Sequence, residues 1–272
     1  MTHMVSYLNT FSMAANILSC YPINERSHMA KAIKMTTALP NLSDPTLLTP
    51  EILKQNPRLA SSIFALCNAA FSGHQATDPR KWDTSTPRFS TLESFYKMLT
   101  PESIVGVVFA LEPCASTGVG ADSNSGINKA ANANGHARTT GEEDENDSLY
   151  RNKVIACSAA VPWKGGWHHE CPHESGWEMK IVCVDDDPLF RHRGIAVAVQ
   201  QALESRLASR ERDRGQVSLK LWVLANESIN GAYWRKRGYH KVRGRIEGPG
   251  VWGCREGMFE MNVYAKTLGI KE

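Results

Sequence analysis

Leu59, Ile63, Leu66, Cys67, Ala70 and Phe71 recur at the three-and-four spacing of an amphipathic helix, which gives way to a polar loop opening at Ser72. A second helix is predicted from Ser90. There Ser90 and Glu93 form a capping-box pattern, and Leu92, Phe95, Tyr96 and Leu99 supply an apolar face. The runs 103–111 and 153–161 are rich in β-branched and small apolar residues and read as neighbouring strands. Ahead of these elements, residues 1–50 show no clean period and are interrupted by Pro40, Pro45 and Pro50, so they read as an extension with one strand near 32–39.

The second half is more regular. Residues 177–184 read as a strand, and 194–210 as a helix with Ile195, Val199, Ala202, Leu203 and Leu207 on one face. In 217–224, Val217, Leu219, Leu221 and Val223 alternate with Ser218, Lys220 and Trp222, the pattern of a strand buried chiefly on one side. A helix over 228–237 stops at Gly238, and strands at 239–243 and 258–265 follow. This order predicts an α+β fold with one crossover unit at its centre. Residues 114–148, built of Ala, Gly, Asn, Ser and Thr and ending in an acidic run, have little to bury and read as a disordered insertion in a hairpin connection. A linker between domains is the competing reading. The expected organisation is an extension over 1–50 and one domain over 51–272.

Composition narrows the class. With 42% hydrophobic and 22% charged residues in 272, the chain is an ordinary globular protein, and a net charge of +3 is too small to argue for nucleic acid. The seven cysteines lack paired short spacings, which disfavours a disulfide framework or zinc ribbon and fits a reducing, cytoplasmic setting. The apolar stretch 5–21 carries Asn9, Thr10, Ser12, Asn16 and Ser19 and no basic lead-in, so no membrane segment is expected. An organelle transit peptide stays open, since no acid precedes Glu25, although arginine is absent there too.

The sharpest chemical feature is Arg191, His192, Arg193, Gly194, Ile195 and Ala196, set between a strand and an amphipathic helix. Backbone amides at a helix N-terminus form an anion-binding concavity, and small residues at 194 and 196 let a phosphate approach the main chain. Arg191 and Arg193 can add charge-assisted hydrogen bonds. A basic loop capping an ordinary crossover helix is the competing reading. Further on come Asn226, Tyr233, Trp234, Gly238 and Tyr239.

Taken together, these two motifs resemble the GNAT superfamily of acyl-CoA N-acyltransferases, whose pyrophosphate loop reads Q/R-x-x-G-x-G/A and whose asparagine-tyrosine helix ends in Gly-Phe or Gly-Tyr. The resemblance covers roughly residues 177–242, and no rival phosphate-binding motif is present. It implies a mixed central sheet with a splayed strand pair flanked by helices, and acetyl-CoA or another acyl-CoA as co-substrate. Pantetheine would run along Val182, Cys183 and Val184, the pyrophosphate would meet residues 191–196, and Asn226 and Tyr233 would complete the cofactor site.

Transfer to an amine needs a base, because an alkylammonium has a pKa of about 10.4. Glu178 is the candidate, six residues before Val184, where some members of the superfamily carry a glutamate. Strand parity places Lys180 on the same face, so Lys180 can pair with it; a solvent-facing glutamate is the competing reading. Tyr233 is the candidate acid for the departing thiolate, although the usual position, four residues before the glycine, is Trp234 here. Asn226 is likewise one residue farther from the glycine than is common.

Other clusters read as scaffold. Asp185, Asp186 and Asp187 make a solvated turn or face a cationic substrate. His168, His169, Glu170, Cys171, His173 and Glu174 crowd one loop around Pro172, unlike a zinc site, and no metal is expected. The basic stretch from Arg235 to Arg245 lacks a stacking platform for RNA and reads as a solvated face, with contact to the cofactor's ribose phosphate as the alternative. Cys183 sits in an apolar strand, which disfavours a covalent intermediate. The expected activity is direct transfer of an acyl group, most simply acetyl, to a small-molecule or peptide amine by a monomer or homodimer, without nucleic-acid or membrane partners. A non-catalytic acyl-CoA-binding or interaction module on the same fold is the alternative.

Overall fold

The computed structural model describes residues 39–111, 150, 152–167 and 174–271. The stretch 5–21, nearly all of the strand expected at 32–39, the insertion at 114–148 and the histidine-rich loop 168–173 lie outside the described residues.

The described chain enters the sheet at β1 (Asn41–Leu42) and β2 (Thr46–Leu48), both antiparallel to the outer edge of β3 (Ile104–Leu111). Thus residues 41–48, within the stretch expected to be an extension, already belong to the sheet. Two helices follow, α1 (Pro50–Gln55) and α2 (Pro57–Gln75), each opened by a proline whose missing N–H costs nothing at that position. The third, α3 (Leu92–Met98), starts later than the sequence suggests. Its capping box is Thr91 with Ser94, not Ser90 with Glu93, because Thr91 holds the extended conformation a cap requires and the two hydroxyls satisfy each other's amides at 3.1 and 3.2 Å.

β3 pairs antiparallel with β4 (Lys153–Pro162), as expected of neighbours, and β4 with β5 (Trp177–Val184). The long helix α4 (Ile195–Asp213) crosses over to β6 (Ser218–Asn226), which lies parallel to β5. After it come a π-helical turn (Glu227–Gly231), a short helix α5 (Ala232–Lys236), β7 (His240–Glu247) and β8 (Phe259–Gly269). The strand order is β1-β3-β4-β5-β6-β8-β7, with β2 beside β3. This is the mixed α+β sheet with a parted strand pair and flanking helices that the sequence predicts.

Each face of the sheet has its own core. Val199, Leu203 and Leu207 of α4 are fully buried on one face, where Gly106 lets the helix lie close: a Cβ there would stand 2.9 Å from Val199 Cγ1. Each such leucine contributes roughly 1.5–3 kcal/mol by leaving water. The other face packs Leu53, Leu59, Ile63 and Phe95 of α1, α2 and α3 against the sheet. A satellite cluster joins Trp82, Trp163, Trp222, Cys254 and Phe259. It corrects the expectation for β6: Trp222 is 1% exposed because Trp163 stacks on it at 4.9 Å, so that strand is buried on both sides. No helix among the described residues is long and apolar enough to cross a membrane.

Candidate active site

A break in strand pairing positions the site. β5 and β6 share only the partners Trp177↔Leu221 and Glu178↔Trp222; beyond them no ladder joins the two strands. The cause lies in β5. Ile181 has φ 47°, which is costly for a β-branched residue, and the β4–β5 register shifts between Cys157 and Ala159. The bulge changes side-chain parity. Trp177, Met179 and Val182 face α4, while Ile181 and Cys183 face the α1–α3 side.

After Val184 the chain turns through a loop fixed by its own acids. Asp185 accepts from the Asp187 amide at 3.0 Å and pairs with Lys153 at 2.8 Å, and Asp187 accepts from the Leu189 amide at 2.9 Å. Asp186 takes both ends of Arg191, whose Nε donates to its carbonyl at 2.9 Å and whose Nη2 pairs with its carboxylate. The three acids, which sequence left between a solvated turn and a substrate contact, therefore shape this loop. Arg193 is also engaged, donating to Pro40 O at 3.3 Å and Leu189 O at 3.4 Å.

Two left-handed residues then bend the chain into the helix: His192 at φ 59° and Gly194 at φ 73°. Gly194 is the N-cap of α4, and a Cβ on it would meet no atom within 4 Å. The first bond of the helix runs from Ala198 N to Gly194 O at 3.0 Å, so the amides of Ile195, Ala196 and Val197 precede the ladder. Successive amides in such a left-handed bend make a concavity for anions.

The residues that carry these amides border a cavity of about 290 Å³. The loop and helix start line it with Arg191, His192, Arg193, Gly194, Ile195 and Ala196, the end of β5 with Val184, and α5 and its C-cap with Tyr233, Lys236 and Arg237. Lys236 and Arg237, read from sequence as a solvated face or a ribose-phosphate contact, thus stand at the cavity. No local pattern pointed to Gln200, which is 5% exposed and accepts the Tyr233 hydroxyl at 2.8 Å. Burial raises the Tyr233 pKa, with Arg237 opposing, so the phenol keeps its proton at neutral pH. The π-helical turn holds one residue more than an α turn. After it, Tyr233 reaches the cavity and Trp234, fully buried, stacks edge-on between Tyr233 and Tyr239 at 5.1 and 5.0 Å. A continuous α-helix over 228–237 is therefore corrected.

The remaining predicted residues lie around the parted strands and do not line the cavity. Val182 is in the core beneath α4, and Cys183 points the other way. Asn226 is fully buried; its Oδ1 caps the π turn through the Ser228 amide at 3.0 Å, and its Nδ2 has no acceptor among the described residues. Glu178 is 5% exposed, with one oxygen paired to Lys180 at 3.0 Å and the other buried without a partner among the described residues. Burial lowers the Lys180 pKa while Glu178 opposes the shift. Beyond that pair, the return of the β4–β5 hairpin is anchored by Arg243, which grips Glu174 with two nitrogens at 2.5 and 2.8 Å. Those bonds lower the Glu174 pKa.

Solved structures similar to this chain include an aminoglycoside 6'-acetyltransferase type Ii, at 16% identity and TM-score 0.42 over 85% of this chain and 98% of that one. The ribosomal-protein-S18-alanine N-acetyltransferase from Escherichia coli is similar at 12% identity and TM-score 0.40, over 84% and 96% of the two chains. An aminoglycoside 6'-N-acetyltransferase complexed with coenzyme A is similar at 14% identity and TM-score 0.41, again over 84% and 96%. No protein-family model matches the chain, and no curated protein matches it.

Proposed function

We propose that the chain is an acyl-CoA-dependent N-acyltransferase of the GNAT type, moving an acyl group, most simply acetyl, directly to a primary amine. One observation carries the reading. Residues 195–197, whose amides precede the helix ladder, border a cavity also lined by His192, Lys236 and Arg237, beside two strands that have parted. That is a receptor for a phosphorylated ligand with a chain long enough to enter a sheet. On this reading the domain expected over 51–272 also takes in β1 and β2, forms one catalytic unit and carries an insertion at 114–148.

Bound acyl-CoA would supply the activated thioester. The protein's residues do the rest. Amides 195–197 hold the diphosphate, with Arg191 exchanging Asp186 for phosphate oxygens. The main chain of residues 182–184, unpaired on its β6 side, and the buried amide nitrogen of Asn226 take the ligand's peptide-like arm. Glu178 receives the ammonium proton at the oxygen Lys180 leaves vacant, and Tyr233, which burial keeps protonated, stands ready to donate a hydrogen bond or proton to the leaving thiolate.

The ion pair between Glu178 and Lys180 favours a second reading, a module that binds acyl-CoA without transferring it. Calorimetry with coenzyme A tests the binding that both readings share, and one site per chain is expected. An amine panel with acetyl-CoA and free-thiol detection then separates them. Absence of heat would overturn both readings, and heat without transfer to any amine would leave the binding module.

A further inference from the structure

Three cysteines far apart in the chain meet in the core. Cys67 on α2, Cys157 on β4 and Cys183 on β5 are each at most 2% exposed. Their Sγ atoms all lie within 4.8 Å of one another, with Cys67 and Cys157 at 3.6 Å. Three sulfurs bonded to one ion at about 2.3 Å form a triangle of side about 4 Å. The 3.6 Å pair and the 4.8 Å limit on the others are compatible with that figure, so an ion would fit with small side-chain adjustments.

A second observation points the same way. The Arg88 guanidinium acts electrostatically on Cys67 and Cys183 as well as on Glu178, and its Nε is buried without an acceptor among the described residues. A guanidinium whose Nε is buried without an acceptor is costly beside neutral thiols and is offset beside thiolates. We propose that this trio is a three-sulfur site for a soft d10 cation, with Cu(I) as its ion. Each ligating thiol releases its proton to solvent as the ion binds, and Arg88 offsets one unit of the remaining negative charge. Cu(I) is favoured over Zn(II) because no fourth Cys, His, Asp or Glu ligand joins the cluster among the described residues. The trio shares its apolar core with Val105, Ala159 and Ile181, whereas zinc takes four ligands and thiolate sulfur suits Cu(I). Such an ion would tie α2 to the strand that carries the bulge. The inference stands apart from the acyltransferase reading, since that reading uses only the main chain of Cys183, whose side chain faces the α1–α3 side.

The test is titration of the full-length, reduced, chelator-stripped protein with Cu(I) against a competing chromophoric chelator, both folded and during refolding from urea. One Cu(I) per chain is expected, with three sulfur neighbours by X-ray absorption. Cys157→Ala should lose stoichiometric uptake while its circular dichroism stays native, and Arg88→Met should weaken uptake by about 10- to 100-fold, as for an outer-shell partner. The combined Cys20→Ser, Cys114→Ser and Cys171→Ser variant should bind as the parent does. Should Cys157→Ala not fold, Cys67→Ala and Cys183→Ala give the same readout. Failure of the parent to bind, uptake that survives loss of the trio, four-coordinate zinc displacing copper, or a Cys67–Cys157 disulfide in protein that takes up no copper would each overturn the proposal.

Discussion

The two ends of the β5–β6 pair make opposite use of polar groups. At the cavity end, the amides of residues 195–197 precede the helix ladder and Asn226 Nδ2 has no acceptor among the described residues. At the aromatic end, the indoles of Trp163 and Trp222 donate to Glu174 and Ser175 O, both at 2.8 Å, and Arg243 holds Glu174 with two nitrogens. A buried polar group without a partner costs about 1–3 kcal/mol, so a fold keeps such groups where something else completes them. The aromatic end is completed by its own partners except at Glu178, in register with Trp222, whose second oxygen has no partner among the described residues; the cavity end is prepared for a guest.

Substitutions at either end should separate along that line. The largest effect is expected from Glu178→Gln, which keeps the shape and removes the proton acceptor. Acyl transfer should fall by about 100- to 10,000-fold while coenzyme A binding by calorimetry stays the same; unchanged turnover would remove Glu178 from the chemistry. Next is His74, packed near Trp82 at the aromatic end, whose pKa burial lowers from 6.5 to about 4. The unfolded chain binds more protons between those values, so stability is full above pH 6.5 and declines as pH falls toward 4, by on the order of 3 kcal/mol. Urea titrations across that range should show the loss in the parent and a much flatter profile in His74→Leu.

Smaller effects belong to the cavity end. Gly194→Ala meets no atom within 4 Å but must hold φ 73°, at a cost of about 1–2 kcal/mol in thermal or urea unfolding. Its methyl group also occupies the anion's approach, so coenzyme A affinity should drop further than stability explains. The smallest change is expected from Asp186→Asn, which frees Arg191 from an exposed ion pair. Affinity for coenzyme A should rise by up to about fivefold, and the gain should shrink in high salt.

How much of this could be read from the chain follows the range of the forces involved. Residues 177–184 and the loop at 191–196 were legible because an apolar run, a glycine and a helical period are local signals. The pairing of Glu178 with Lys180 was legible too, because strand parity places them together. The π turn after Asn226 was not, since one extra residue per turn leaves no mark on composition. It moved Tyr233 to the cavity and Trp234 into the core. Nor was the cap at Thr91, decided by a backbone angle one residue from the pattern. The Trp163–Trp222 stack and the meeting of Cys67, Cys157 and Cys183 depend on contacts between distant segments, for which single-sequence periodicity carries no information.

Arg193 clasps Pro40 O at the rim of the cavity, whereas Arg212, at the far end of α4, donates to Lys271 O at 3.0 Å. The 19-residue helix sets these two points about 28 Å apart. A fluorophore or sensor-chip anchor attached behind Lys271 therefore lies a helix length away from the cavity lined by Arg193.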